Sequence, residues 1–250
     1  METFKIQSLI AFWIFGVFAS LACGKPAWIL TPDQIYPLLE SHLSQKKGDY
    51  FKRTVRRAGN QTIELEGFSS LSGRLDNFFS VAKDIPSYRQ WALTGLNKKP
   101  AGGEYLLQIL DLRVDPQKSN VLHALFGLRF PGIHQDLRRS FLIIPTQQPR
   151  SVTVSCQSLD APDLVLSSLV GYITAFSAPK DPERLWVYFK GVAKIRSWIL
   201  YQALPERLLT QESSERIQTV LDNFSQEEVK QYALVERSNR VKPPKKKRQR

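Results

Sequence analysis

The chain has 250 residues, 42% of them apolar, 11% aromatic and 23% charged, with 13 Gly, 15 Pro and two Cys. That is long enough for one full hydrophobic core, and the composition excludes a collagen-like chain, a disulfide scaffold and a wholly disordered polymer. The net charge of +12 is unevenly placed. Arg237, Arg240, Lys242, Lys245, Lys246, Lys247, Arg248 and Arg250 supply eight of those charges with no acid among them, so the basic character belongs mainly to the last 14 residues.

Residues 1–23 read as an export signal. Lys5 precedes an uncharged, mostly apolar run from Ser8 to Ala22. At 15 residues that run falls short of the roughly 20 needed to cross a bilayer as a helix. An uncleaved anchor is the alternative. Ser20-Leu21-Ala22-Cys23-Gly24 resembles a bacterial lipoprotein signal in which Cys23 is acylated, although Ser20 stands where Leu is preferred; cleavage after Ala22 or Gly24 fits the small-residue rule as well. The expected destination is the periplasm, either free or membrane-associated.

Thr31-Pro32-Asp33-Gln34 is a helix start, with a hydroxyl cap, Pro at the first position and Gln three residues after the cap. Ile35, Leu38, Leu39, His42 and Leu43 then give one apolar stripe over residues 32–45, with His42 read as a core-edge histidine. Residues 50–56 and 61–68, split by Gly59-Asn60, read as a β-hairpin. Two short helices follow: one capped by Ser72 and carrying Leu75, Phe78, Phe79 and Ala82, the other opened by Pro86 and carrying Tyr88 and Trp91.

From residue 104 the pattern alternates. Strands are expected at 104–114, 121–130, 137–145, 151–159, 164–177 and 184–195, joined by short Pro- and Gly-containing turns into an antiparallel meander. One face of 121–130 is Leu122, Ala124, Phe126, Leu128 and Phe130; His123 and Arg129 lie on the other. Cys156 shares a face with Val152 and Val154 and reads as a buried small residue rather than a nucleophile. Beyond Ile195 a long helix is expected through Trp198, Leu204 and Phe224, kinked at Pro205. Ser225-Gln226-Glu227-Glu228 looks like the capping box of one further short helix to about Val235. One domain over 31–235 and a disordered basic tail over 237–250 complete the expected organisation.

Helix, hairpin, two short helices, six meandering strands and one long C-terminal helix form the element order of the helix-grip fold. The chain resembles the START/SRPBCC superfamily, which includes Bet v 1-like, polyketide-cyclase-like and START-related lipid-binding domains. The resemblance rests on that order, on Phe78-Phe79-Ser80-Val81-Ala82-Lys83-Asp84-Ile85-Pro86-Ser87-Tyr88-Arg89-Gln90-Trp91, and on Tyr188-Phe189-Lys190-Gly191 through Trp198-Ile199-Leu200 to Ala203-Leu204-Pro205. It implies an α+β fold in which a curved antiparallel sheet wraps around the C-terminal helix and leaves a hollow for a lipid or other hydrophobic ligand. Candidate lining residues are Phe78, Tyr88, Trp91, Phe126, Phe130, Tyr172, Phe176, Trp186, Tyr188, Trp198 and Leu204, each of which is more often plain core when taken singly. Some such cavities hold a buried acid–Arg pair for a ligand's polar head, and Asp111 with Arg129 is the candidate here, against a solvent-facing ion pair.

No glycine-rich phosphate loop, nucleophile elbow or zinc-protease motif occurs, and His42, His123 and His134 show no metal-ligand spacing, so no metal or cofactor is expected. His134 is placed in a hairpin loop. The expected function is therefore an exported START-like carrier of a hydrophobic molecule. A cyclase- or hydrolase-like enzyme on the same scaffold is the first alternative. The second is a surface module whose Lys245, Lys246, Lys247 and Arg248 bind anionic lipid; nucleic acid is the less expected polyanion given the export signal.

Overall fold

The structure, a computed structural model, describes residues 29–46, 50–97, 107–130, 133–160, 166–196, 215–227 and 230. Helix α1 (Pro32–Leu43) precedes strands β1 (Tyr50–Ala58) and β2 (Thr62–Ser72). Helix α2 (Leu75–Lys83), a 3-10 turn (Ile85–Ser87) and helix α3 (Tyr88–Trp91) come next. The meander is β3 (Leu107–Val114), β4 (Val121–Phe130), β5 (Ile133–Gln148), β6 (Ser151–Ser158), β7 (Leu166–Ala178) and β8 (Asp181–Ile195). Helix α4 covers residues 215–227. Among the described residues no helix is long and apolar enough to cross a membrane.

All eight strands form one open antiparallel sheet in the order β1-β2-β8-β7-β6-β5-β4-β3. The single jump, from the α3 region to β3 at the far edge, lets the chain meander back until β8 closes against β2. Side-chain alternation then defines two faces. One face carries Ile63 and Leu65 of β2, Ile109 and Leu112 of β3, Phe126 of β4, Phe141 of β5, Val154 of β6, Leu169 of β7 and Val187 of β8, all in one core with α2, α3 and α4. A face whose residues from both edges meet around the same helices is the concave one, as the twist of a large antiparallel sheet requires. Among the described residues the outer face is covered at its centre, where Ile35, Leu39 and Leu43 of α1 meet Tyr172, Phe176, Trp186 and Tyr188.

Local chemistry accounts for most boundaries. In α1 the Thr31 amide donates to Gln34 Oε1 at 2.9 Å, and Pro32 occupies the first turn, where no amide partner is needed. Leu38 turns to solvent instead of joining the stripe, and the His42 ring packs 4.3 Å from that of Phe68. Asn60 and Gln61 both adopt φ of 57°, so the first hairpin turns one residue later than Gly59-Asn60 suggests and Gln61 leaves the strand. Ser72 ends β2 rather than capping α2, whose N-cap is Arg74. Strand β5 starts at Ile133, so His134 pairs with Arg129 inside the sheet instead of sitting in a loop.

One correction concerns the last helix. Ser225 lies within α4 and starts no new helix; its hydroxyl donates to the Ser72 carbonyl at 2.8 Å, tying the helix to the end of β2. At the free edge, Asn97 copies a neighbouring strand: its amide donates to Ile109 O at 2.9 Å and accepts from Ile109 N at 2.8 Å, beside the β3 bulge. An edge bulge capped by a side chain discourages pairing with another sheet.

Candidate functional site

The concave face is largely apolar, with Arg53 and Arg57 of β1 and Arg139 of β5 standing among its apolar rows, and its centre carries small residues. Leu65, Gly191, Gly171, Cys156 and Ile143 are direct cross-strand neighbours on β2, β8, β7, β6 and β5. The paired glycines put no side chain on this face, so the row dips between Leu65 and Ile143. The neighbouring row, by contrast, holds Phe189, Ile173 and Val154. A recessed, mostly apolar patch on a curved sheet is a geometry that can accept a non-polar guest.

The helices close one end of this face. Phe224 of α4 packs 4.5 Å from the Phe78 ring and 5.4 Å, edge on, from Trp91, while Tyr88 meets Trp91 at 5.0 Å. The polar tips are accounted for: Tyr88 donates to the Ala82 carbonyl at 2.6 Å, and Trp91 Nε1 donates to Ser87 Oγ at 3.1 Å. Asn223 ties the same helix to the Thr94 carbonyl at 2.8 Å. Burial, with the Cys156 thiol nearby, holds the Tyr88 phenol neutral far above its usual range, and burial likewise raises the Cys156 thiol. Cys156 is thus an inert floor residue.

The proposed lining residues divide between the two faces. Phe78, Tyr88, Trp91 and Phe126 reach the concave core, Phe126 standing edge on to Phe141 at 6.4 Å. Tyr172, Phe176, Trp186 and Tyr188 do not; they lie on the outer face beneath α1 and cannot line a hollow on the other side. Trp198, Leu204, Cys23 and the tail residues Lys245, Lys246, Lys247 and Arg248 lie outside the described residues, as do the side chains of Arg129 and Phe130. Gly171, Gly191 and Phe189 are the concave-face residues that the sequence pattern passed over. The signal was there, in a single glycine inside each of two long strands.

The outer tyrosines form a polar chain with a structural purpose. Tyr188 donates to Glu66 Oε1 at 2.5 Å, and the Tyr172 hydroxyl accepts from the Leu30 amide at 3.0 Å, so the lead-in to α1 is fixed to the sheet. Desolvation, reinforced at Tyr188 by its hydrogen bond to Glu66, raises both phenols. Phe176 also borders an open cleft of about 750 Å³ with Tyr36, Leu75 and Pro149.

Asp111 belongs to the outer face too. It follows the β3 bulge, accepts from Arg113 Nε and lies 3.5 Å from Arg89. Burial is the largest single influence and opposes its ionisation, but the Arg113 hydrogen bond and the other attractions around the carboxyl together outweigh it, and the carboxyl is lowered. Its described partners are these two exposed arginines, so Asp111 makes a surface ion pair rather than a head-group anchor. Asp111 and Tyr172 therefore do not converge on the concave side, as a cyclase-like site there would need.

Fold and inner face together define a helix-grip domain: a curved antiparallel sheet closed over its concave, apolar side by a C-terminal helix. Solved structures to which the chain is similar include the STAR-related lipid transfer protein of Xanthomonas axonopodis, at 17% identity over 74% of this chain and 96% of that one, TM-score 0.48. Norcoclaurine synthase of Thalictrum flavum matches at 14% identity, 75% and 99% coverage and TM-score 0.40. The lipid transfer and protein localization domain of human StarD13 matches at 10% identity, 78% and 98% coverage and TM-score 0.40. No family model matches the sequence, and no curated protein matches it.

Proposed function

We propose that this protein is an exported carrier that binds a lipid or other hydrophobic molecule against the concave face of its sheet. The observation that carries the reading is the largely apolar inner surface, broken by Arg53 and Arg57 toward one edge and Arg139 toward the other, with the Gly171–Gly191 pair between them. At about 25 cal/mol per Å², removing a few hundred Å² of ligand surface from water supplies several kcal/mol, enough for a stable complex without any ion pair. The charged apolar leader over residues 1–23 supports export, and the basic cluster at Lys245, Lys246, Lys247 and Arg248 supports a membrane on which ligand is collected or delivered, each charge near anionic lipid being worth about 1 kcal/mol.

Mass spectrometry of small molecules released from the purified protein tests the binding. The expected result is a stoichiometric apolar molecule, displaced by a fluorescent fatty acid or sterol. Gly171→Leu, which raises the floor, is expected to lose the guest while melting as a single cooperative transition. A wild-type protein that carries nothing and takes up no fluorescent probe overturns the proposal. Vesicle flotation with and without residues 237–250 tests the tail separately.

A further inference from the structure

On the outer face, three strands place Arg113, His123 and Ser140 in one cross-strand row. His123 Nδ1 lies 3.0 Å from Ser140 Oγ, and His123 Nε2 lies 3.0 Å from Asp115 Oδ2. The other carboxylate oxygen, Oδ1, accepts from the backbone amides of Gln117 at 2.8 Å and Lys118 at 3.0 Å. Each group then dictates the state of the next. Asp115 is locked in place and can only accept, so the imidazole must carry its proton on Nε2. Nδ1 is left with a lone pair, and Ser140 must be the donor to it. That is an oriented hydroxyl–imidazole–carboxylate relay, the arrangement that generates a serine nucleophile and is recognised by geometry rather than by sequence position.

The relay opens into a depression of about 340 Å³, with Arg113 and Arg138 in its walls. Arg113 is held by Asp111. The Arg113 charge is largely neutralised by Asp111 in the same wall, so the exposed Arg138 is the group that favours negative charge developing on a bound carbonyl oxygen. We propose that Ser140, His123 and Asp115 form a second, independent site that hydrolyses short-chain carboxylic esters, with Ser140 as nucleophile, His123 as general base and acid, and Asp115 as positioning residue. Ser140 Oγ adds to the ester carbonyl carbon while its proton passes to His123 Nδ1. Collapse of the tetrahedral oxyanion breaks the bond to the leaving alcohol, which takes that proton. Water then adds to the Ser140 acyl ester, giving a proton to Nδ1. A second collapse releases the carboxylic acid and returns the proton to Oγ. Ester and water become acid and alcohol, with no change of oxidation state. The His123 side chain is 45% exposed. An open site screens charge, so the rate gain from the base belongs at the low end of the usual range, about 100-fold.

The test uses the full chain and does not depend on the concave-face ligand. A fluorophosphonate probe is expected to modify Ser140, located by peptide mass spectrometry, and p-nitrophenyl acetate hydrolysis above the buffer rate is expected to fall about 100-fold in both Ser140→Ala and His123→Gln. In the ¹⁵N NMR spectrum of the wild type, His123 is expected as the Nε2–H tautomer, and Asp115→Asn is expected to lose that preference while Asp115→Glu retains it. An unmodified Ser140 in the wild type, hydrolysis unchanged in Ser140→Ala, or an Nδ1–H tautomer at His123 overturns the proposal.

Discussion

Gly67→Ala isolates how tightly the outer half of the sheet is fitted to its concave side. A Cβ on Gly67 would meet Phe189 Cζ at 2.2 Å, Phe189 Cε2 at 2.6 Å and the Lys52 carbonyl oxygen at 2.6 Å. The ring cannot swing freely away, because it stacks on Phe51 with centroids 5.7 Å apart. The Lys52 oxygen belongs to the adjacent strand backbone and moves only with β1. Overpacking of this kind costs about 1–3 kcal/mol, and with both neighbours restrained the upper half of that range, about 2–3 kcal/mol, applies. In a domain of this size a loss of 2 kcal/mol lowers Tm by about 4–8 °C. Gly59→Ala is the matched control. Nothing lies within 4 Å of its Cβ position, so a change within about 0.5 kcal/mol is expected. Urea unfolding of both variants, with Phe189→Leu added to complete a double-mutant cycle, reads the coupling directly. If Gly67→Ala is as stable as Gly59→Ala, or Phe189→Leu relieves nothing, the close fit of Phe189 over Gly67 is refuted.

Phe224→Ala, which removes the ring between Phe78 and Trp91, is expected to cost about 3–5 kcal/mol in urea unfolding and to increase hydrogen exchange in α4 before the sheet. Tyr88→Phe strands the Ala82 carbonyl and is expected to lose about 1–3 kcal/mol, measured by the same method. The Cys156 thiol, raised by burial, is expected to resist an aromatic disulfide reagent in the native state and to react only at the unfolding rate, followed by peptide mass mapping. The Asp115 carboxyl is lowered below its usual 3.8 by the Gln117 amide first and then by His123. Its contribution to stability is therefore complete above that value and is lost as pH falls through the depressed folded pKa. The Tm gap between wild type and Asp115→Asn should close over that acid range, and a gap independent of pH would contradict it.

Strand existence was written in the alternation of residues 121–130 and 151–158, because a half-buried surface demands a period of two. What alternation cannot state is which of two apolar faces turns inward. Strand β8 shows the difficulty: Leu185, Val187 and Phe189 point one way, Trp186 and Tyr188 the other, and all are buried. A strand apolar on both sides has a layer on each side, yet nothing local says that α1 rather than the C-terminal helix covers Trp186 and Tyr188. Treating every aromatic as part of one hollow therefore merged two cores. Asp115, His123 and Ser140 escaped notice for a different reason. Their meeting depends on the β3–β4–β5 register, and a slip by one residue would send each to the opposite face.

The division of labour between the faces follows from the same geometry. Strands β8 and β7 are third and fourth in an eight-stranded sheet, away from both edges, where curvature brings the concave side chains closer together and spreads the outer ones apart. Large rings therefore fit outside: Tyr172 and Tyr188 stand 5.8 Å apart, and Tyr36 meets Phe176 edge on at 5.5 Å, filling the layer under α1. Inside, the same two strands alternate small residues, Gly171, Gly191, Ala175 and Ala193, with the larger Leu169, Ile173, Val187 and Phe189. Had the interior been meant only for packing, β-branched residues at those positions would have filled it and stiffened the strands. Pairing glycines at the tightest part of the sheet forgoes that gain, since glycine in a strand loses both backbone order and packing area. The stability lost there is offset on the outer face, where the tyrosine chain and α1 lock the strands from behind. Rigid support behind a row of small inner residues is what the proposed binding surface would rest on. It also predicts that truncating Tyr172 would loosen the concave floor without touching its surface.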